Sequence, residues 1–437
     1  MKPMIDKKLK KLFSKALKKH QKGNLNEAKN IYNKIIKINP NIDVVQNNLG
    51  IIYLKSKLQK KAQSCFLNAI KINSNYIDAY NNLAMLNNEI GEYNKSITYS
   101  KKVLEIEPNV VKALFNLAYS YGKIGDEKNE IDFYFKTLNC DPNHFKACHN
   151  LALRYYELGH TEKSLDFWKK ANSINPDDAN VGDMLACVLL KHFHFEEGFN
   201  FFESRLKKNK FTKIIKSNKL NPLWHGEDLN EKIIFIIAEQ GFGDTIQFAR
   251  YAYELSDFYK TDIFLLVNKK IIHLFDQKKL KIITKGDKIP KYDYYSFLQS
   301  LPKYYYQRKK NLLGQYNYIS KNQKIFNKWK SKLSKFSLPK IGINWQGNKN
   351  FKYDKYRSIP LEKFETLCNT TGFDFISVHK GEGESQIKDI KFIDKLHNFS
   401  STIDNGQNSF EDTIEIIRNL DLVITTCTSI AHLSSTI

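Results

Sequence analysis

The chain has 437 residues, 42% of them hydrophobic, and a formal net charge of +23. That suits two or three domains with ample cores. A charge of this size raises nucleic acid or an anionic membrane as partner. The basic set, however, is 63 Lys against six Arg, spread along the sequence without a concentrated basic arm or a zinc-finger or RNA-binding signature. It reads as compositional bias, with nucleic acid disfavoured.

From Met1 to His20 lysines alternate with apolar residues, and no apolar run is long enough for a signal peptide or a membrane span. A cytoplasmic protein is expected. From there a 34-residue period takes over. Pro40, Pro108, Pro142 and Pro176 lie on one lattice with Ser74 at the missing node, and Gly23, Gly91, Gly125 and Gly159 lie on another. Leu49, Leu83, Leu117, Leu151 and Leu185 mark a third, each followed by a small residue: Gly50, Ala84, Ala118, Ala152 and Ala186. Large apolar side chains recur at Tyr32, Phe66, Tyr134, Trp168 and Phe202.

Gly between two helices permits a left-handed turn, and Pro stops the second helix, so the chain folds back once per unit. The small residue lets the first helix of each unit approach the large one in the second. The period and residue types resemble the tetratricopeptide repeat, with about six units over residues 8 to 206. Such a solenoid binds extended peptides or partner proteins on a concave face.

Asn48, Asn82, Asn116 and Asn150 precede the lattice leucines and fall one unit apart on the first helices. A carboxamide donates and accepts, so a ladder of them pairs with any peptide backbone. In this the repeats resemble those of the protein O-GlcNAc transferases, where an inner Asn ladder holds the acceptor polypeptide. The plainer reading is that Asn is common in this chain.

Cys65, Cys140, Cys148, Cys187, Cys368 and Cys427 include no CxxC pair, so neither a disulfide framework nor a zinc site is indicated. His192 and His194 form an HxH without further ligands nearby. No metal site is expected.

After a basic stretch, Lys207 to Pro222, read as a linker or capping helix, the period changes. Ile233 to Ala238 is a continuous apolar run suited to a buried parallel strand, and it leads through Gly241 and Gly243 into a helical stretch to Leu255. Further strands are predicted at Ile263 to Val267, Lys281 to Thr284 and near Tyr292 to Tyr295, divided by helical segments. A second cycle has strands at Ile341 to Trp345, Phe373 to Val378 and Asp421 to Thr426. Two Rossmann-like halves imply a ligand cleft at strand carboxyl ends.

Three stretches carry candidate chemistry. Gly241 and Gly243 allow close backbone approach at a helix start, where Asp244 suits either a general base or a plain helix cap. Arg357 follows the second cycle's first strand, and its forked, always-charged head suits a diphosphate as well as an ordinary ion pair; Arg250 invites the same argument more weakly. Thr428 and Ser429 sit at a helix start after a buried strand, with His432 one turn in; they fit a phosphate site or simple caps.

AEQGFGDTIQFARY, GINWQGN with the later RSIPL, and LDLVITTCTSIAHL, in this order after repeats, resemble the bacterial tetratricopeptide-repeat glycosyltransferases, whose carboxyl-terminal region is related to the heptosyltransferase-type GT-B fold. The resemblance implies an α solenoid followed by an α/β GT-B-like region of two Rossmann-like halves. Its divisions would be 1–206 for the repeats, 207–222 for the linker, 223–337 for the acceptor-side half and 338–437 for the nucleotide-sugar half. It further implies Asp244 as catalytic base, Arg357 as phosphate contact, and Thr428, Ser429 and His432 at the nucleotide-diphosphate end, with Lys380 and Gly381 lining the same cleft.

The implied reaction is inverting transfer of a sugar from a nucleotide-sugar co-substrate, with no cofactor and, lacking a DxD pair at a strand end, no obligatory metal. Many relatives carry Asp where this chain has Cys427, for which a buried apolar role is expected. The second half looks cut short at Ile437. Ser409-Phe410-Glu411-Asp412 reads as a capping box, which keeps Asp412 out of the site. The competing reading is a non-catalytic repeat adaptor with a degenerate transferase-like half.

Overall fold

The computed structural model describes residues 2–220, 222–314, 316–351, 354 and 357–437, with side chains from Lys7 onward. It divides into two compact units, Met1–Val188 and Leu189–Ile437.

The first unit is built of helix pairs on the 34-residue period: α1 (Lys2–Gln21) with α2 (Leu25–Ile38), α3 (Asp43–Lys55) with α4 (Gln59–Ile72), α5 (Ile77–Glu89) with α6 (Tyr93–Ile106), α7 (Val111–Ile124) with α8 (Glu127–Cys140), and α9 (Phe145–Glu157) with α10 (Thr161–Ile174). α11 (Ala179–Lys191) follows. Each second helix ends two residues before a node of the proline lattice; the missing N–H and fixed φ of proline favour this stop, and α4 makes it before Ser74 as well. Tyr32, Phe66, Tyr134 and Trp168 are essentially inaccessible to solvent. A Cβ added to Gly50 would lie 2.5 Å from the Phe66 ring, so the close approach expected of the small positions is met there.

Gly23, Gly91, Gly125 and Gly159 all adopt the left-handed conformation, with φ between +77° and +84°. At the two lattice nodes that lack glycine the backbone makes the same turn regardless: Lys57 has φ +59° and Phe193 φ +62°. Packing of the flanking helices therefore imposes the turn, against a local cost of about 1–2 kcal/mol for a side chain in this region.

The second unit opens with α12 (Phe195–Phe202) and α13 (Asn209–Ser217), and holds two four-stranded parallel sheets. The first sheet comprises β1 (Ile234–Ile237), β2 (Ile263–Val267), β3 (Lys281–Thr284) and β4 (Tyr294–Phe297), in the order β3-β2-β1-β4. β5 (Lys340–Asn344), β6 (Asp374–Ser377), β7 (Leu396–Asn398) and β8 (Leu422–Thr425) repeat that order as β7-β6-β5-β8. The helices are α14 (Phe242–Tyr259), α15 (Leu301–Lys309), α16 (Gln323–Leu333), α17 (Glu365–Cys368), α18 (Glu411–Ile417) and α19 (Ser429–Ser434).

The expected strands form within a residue or two of their sequence limits, but the helical segments between them thin out. A single 3-10 turn, Lys269–Leu274, connects β2 to β3, and no helix connects β3 to β4 among the described residues. α13 occupies the basic stretch after the repeats: its Phe211 is fully buried and meets Phe297 edge-on at 5.2 Å, covering one face of the first sheet. The other face joins one core with α14, α18 and α19, through Ile246, Ala249, Ile414, Ile430 and Leu433.

Replacing Lys57 or Phe193 by Gly is expected to relieve about 1 kcal/mol of strain and raise the melting temperature by about 2–4 °C, while Gly125→Ala lowers it by a similar amount. Thermal melting followed by circular dichroism checks both signs.

Candidate functional site

Two concave sites form, one in each unit. In the first unit a groove of about 470 Å³ is lined by Met85, Asn88 and Glu89 of α5, Phe115, Asn116 and Tyr119 of α7, and Phe145, Lys146, His149 and Asn150 of α9, closed by Asp178 and Asn180. Only first helices of successive pairs and the start of α11 contribute. The ladder residues Asn116 and Asn150 lie in it; Asn48 and Asn82 lie on the earlier first helices outside this groove.

Most of the ladder's donors are already engaged. Asn150 donates to the Tyr134 hydroxyl at 2.7 Å and Asn48 to that of Tyr32 at 3.3 Å, whereas Asn82 donates to Asn47 Oδ1 at 2.8 Å. The reason is the repeat itself. Sixteen residues before each ladder position stands the second-helix lattice residue, and only at Tyr32 and Tyr134 does a phenol hydroxyl accept from the ladder Asn; Phe66, which precedes Asn82, has no hydroxyl, and no bond joins Ser100 to Asn116. The ladder therefore presents mainly carboxamide oxygens, which accept from peptide N–H groups, that of Asn150 also lying 3.3 Å from His149 Nδ1.

In the second unit a cavity of about 570 Å³ lies at the carboxyl ends of the strands of the second sheet. Arg357, Lys380, Thr428 and Ser429 line it, with Asn344, Gln346, Gly347 and Phe410 among their neighbours and Phe242 entering from α14. Arg357 is held by Asp354 through Nε at 3.0 Å and donates through Nη1 to the Cys427 carbonyl at 3.2 Å. A Cβ on Gly347 would come within 2.6 Å of Nη2, so glycine there makes room for the guanidinium. Lys380 donates to the Ser400 carbonyl and to Asn405 Oδ1. Both cations keep protons for a ligand.

Asp244 does not line this cavity; it is the third residue of α14, and its side chain reaches back to cap the helix at Gly241. One oxygen accepts from the Gly241 N–H at 3.1 Å and the other from Gln299 Nε2 at 3.1 Å. Gly243 serves a contact other than the expected ligand approach: a Cβ there would sit 3.1 Å from both Ser429 Oγ and His432 Cδ2, so the missing side chain lets α14 and α19 close on each other. Gly241 has φ −71°, which any residue adopts, whereas Gly381 is left-handed at +99°. Asp244, His432, Gly241, Gly243 and Gly381 do not line the cavity itself.

Several positioning residues escaped the sequence reading. Asn344, at the end of β5, donates to Thr428 Oγ1 at 3.0 Å and Thr425 Oγ1 at 3.1 Å, and faces His379 Nδ1 at 2.8 Å. His379 stacks on Trp345 at 4.0 Å and reaches the Glu382 carbonyl through Nε2 at 2.7 Å. Glu239, beside the β1 end, is fully buried against Arg205 at 3.2 Å, and burial raises its pKa despite that partner. Asn344, Glu239 and Gln299 all fall at strand carboxyl ends, the signal that would have singled them out.

Two expectations fail. Cys427 is exposed, because its carbonyl turns inward to Arg357 and leaves the thiol outside. The capping box at Ser409 does not form: Asp404, eight residues upstream of Asp412, accepts from the Asp412 and Thr413 amides and caps α18. Asp412 instead accepts from Trp329 Nε1 at 2.6 Å and Lys328 at 2.8 Å.

Tetratricopeptide-repeat family profiles match residues 12–42, 45–76 and 145–178, and a second profile of the same description matches 65–98. The amino-terminal region carries tetratricopeptide repeats. Among solved structures the chain is similar to MamA, at 24% identity over 38% of this chain and 96% of that one, with a TM-score of 0.35. It is likewise similar to YrrB, described as a TPR protein with an unusual peptide-binding site (18% identity, 42% and 90% covered, TM-score 0.35). A third is PilW, described as a type IV pilus biogenesis factor (17% identity, 47% and 98% covered, TM-score 0.43). No curated protein matches the chain. Among the described residues no helix is long and apolar enough to cross a membrane.

Burial pushes the pKa values of His273, His379 and His432 down; for His432 the nearby Asp244 pulls the other way. A histidine whose folded pKa is depressed contributes stability that is complete above its unfolded value, near 6.5, and is lost as pH falls below it. Buried Glu239, Asp404 and Glu415, whose pKa values are raised, act in the opposite sense. The histidine share is therefore read as a difference. Between pH 7 and 5.5 the melting temperature of a His379→Gln/His432→Gln variant should move less in the destabilising direction than that of the parent; parallel curves would show that these rings do not contribute.

Proposed function

We propose that this protein binds an extended polypeptide on the concave face of its repeats. The observation that carries this reading is the groove lined by first helices alone, in which Asn116 and Asn150 stand one repeat apart among Phe115, Tyr119 and Phe145. Carboxamide oxygens accept from the peptide backbone whatever its sequence, and the aromatic side chains between them add apolar contact. Each hydrogen bond contributes about 0.5–1.5 kcal/mol net. Peptides selected from a displayed random library should bind the parent, and Asn116→Ala/Asn150→Ala should weaken them by about tenfold or more, as fluorescence anisotropy would measure. Equal affinity for both proteins would remove the ladder from the account.

A second reading concerns the other unit: glycosyl transfer from a nucleotide sugar to an acceptor, most simply the polypeptide held by the repeats. It is supported by the convergence of Arg357, Lys380, Thr428 and Ser429 on one cavity, and by the two hydrogen bonds that orient Asp244 nearby. In this reading Asp244 takes the proton of an acceptor hydroxyl, whose oxygen bonds to the anomeric carbon from the face opposite the diphosphate. The bond from that carbon to the diphosphate oxygen breaks, and its electron pair leaves with the diphosphate. α19 has only six residues, so its amides supply a weak field, and Arg357 and Lys380 bear most of the developing charge.

A panel of nucleoside diphosphates and nucleotide sugars tests this by thermal shift. A ligand near a hundredfold excess over its Kd should stabilise the parent by about 2.7 kcal/mol and leave Arg357→Ala unmoved. No shift with any nucleotide, in a folded protein, leaves peptide binding as the whole function.

A further inference from the structure

The lysines that look dispersed in the sequence are gathered by α1. Lys7, Lys8, Lys11, Lys15, Lys18 and Lys22 are all exposed. At about 100° per residue they fall within one arc of about 100°, and at about 1.5 Å per residue they form a row about 22 Å long. Lys11, Ser14, Lys15, Lys18, Lys19 and Lys22 line a groove of about 440 Å³ with no acidic side chain among its described lining residues, Lys19 being paired with Glu27 of α2 at 2.8 Å.

The repeat lattice identifies this face. The counterparts of Lys11 in later units are Val45, Ala79, Ala113 and Ala147, and those of Lys15 are Leu49, Leu83, Leu117 and Leu151, all buried. The lysines thus occupy positions that later first helices bury within the stack, and they cover its open end. An end cap requires polarity but not a single sign. Elsewhere in the repeats helical lysines are interleaved with acids, as in Lys95–Glu92, Lys102–Glu105 and Lys136–Asp132. In the row on α1 the neighbours three or four residues away are lysines again, an arrangement that destabilises a helix unless an anion meets it.

We infer that the lysine row of α1 is a docking surface for an anionic phospholipid bilayer. A straight row of point charges meets a plane of phosphates along its whole length, and each lysine near such a surface strengthens binding about fivefold. Nucleic acid fits less well, since the face carries neither arginine nor an aromatic side chain for base contacts. An acidic peptide would find no carboxamide or apolar pocket to hold its backbone. Leu9 and Ala16 point inward to the core with α2, so the contact is electrostatic rather than inserted, and it should weaken with salt.

The test is co-sedimentation of the full chain with phosphatidylcholine vesicles and with vesicles containing about one third phosphatidylglycerol, at about 50 and 300 mM salt. The parent is expected to bind only the anionic vesicles and to release at the higher salt. Lys11→Gln/Lys15→Gln/Lys18→Gln/Lys22→Gln should lose at least tenfold in affinity, whereas Lys278→Gln/Lys285→Gln/Lys288→Gln/Lys291→Gln, of the same net charge, should lose less than twofold. If the first variant melts early, Lys15→Glu alone replaces it, with about a tenfold loss expected. Equal losses in the two quadruple variants, or no vesicle binding by the parent, would overturn the inference. So would binding of a duplex DNA of about 30 base pairs in preference to the anionic vesicles.

Discussion

The close approach of each first helix to its own second helix, at a residue with almost no side chain, governs the first unit. Gly50 lies so near the Phe66 ring that even a methyl group would not fit without movement. Ala84, Ala118 and Ala152 hold the same place in later units and are fully buried. The residues two positions earlier recur at the same place on each first helix, and Asn116 and Asn150 among them line the groove. The groove and its asparagines follow from packing, and so does the left-handed turn, which is made at Lys57 and Phe193 even without glycine.

The second unit uses the same device beside its cavity. Gly243 lets α14 and α19 meet at Ser429 and His432, which brings the end of the first sheet's helix to the wall of the cavity in the second sheet. A side chain there would push α14 away from Ser429 and His432. Around this contact the polar groups are held by others: Gln299 and Gly241 orient Asp244, Asn344 orients Thr428, and Asp354 orients Arg357. Such a supporting shell keeps a site within the narrow geometry that binding or chemistry requires.

Much of this was legible in the sequence, for identifiable reasons. A period repeated six times averages out local exceptions, and buried parallel strands announce themselves as apolar runs. What escaped was either too short or too distant along the chain. β7 has three residues, Leu396–Asn398, and no pattern to read. Asp404 caps α18 from outside the helix, Arg205 meets Glu239 across 34 residues, and Gln299 reaches Asp244 across 55. The turns at Lys57 and Phe193, by contrast, were readable, since the lattice already marked those nodes as positions of positive φ. The gathering of lysines on α1 was likewise latent in the lattice, because Lys11 and Lys15 stand where later units bury Val, Ala and Leu.

The claim that the repeats hold a peptide on their inner face is tested most directly by site-specific photo-crosslinking to a library-selected peptide. One protein would carry a photoreactive phenylalanine at Tyr119, inside the groove, and another at Phe135, an exposed position on a second helix. The account requires a crosslink from position 119 and none from 135. A crosslink from 135 with none from 119 would place the peptide on the outer helices and contradict it.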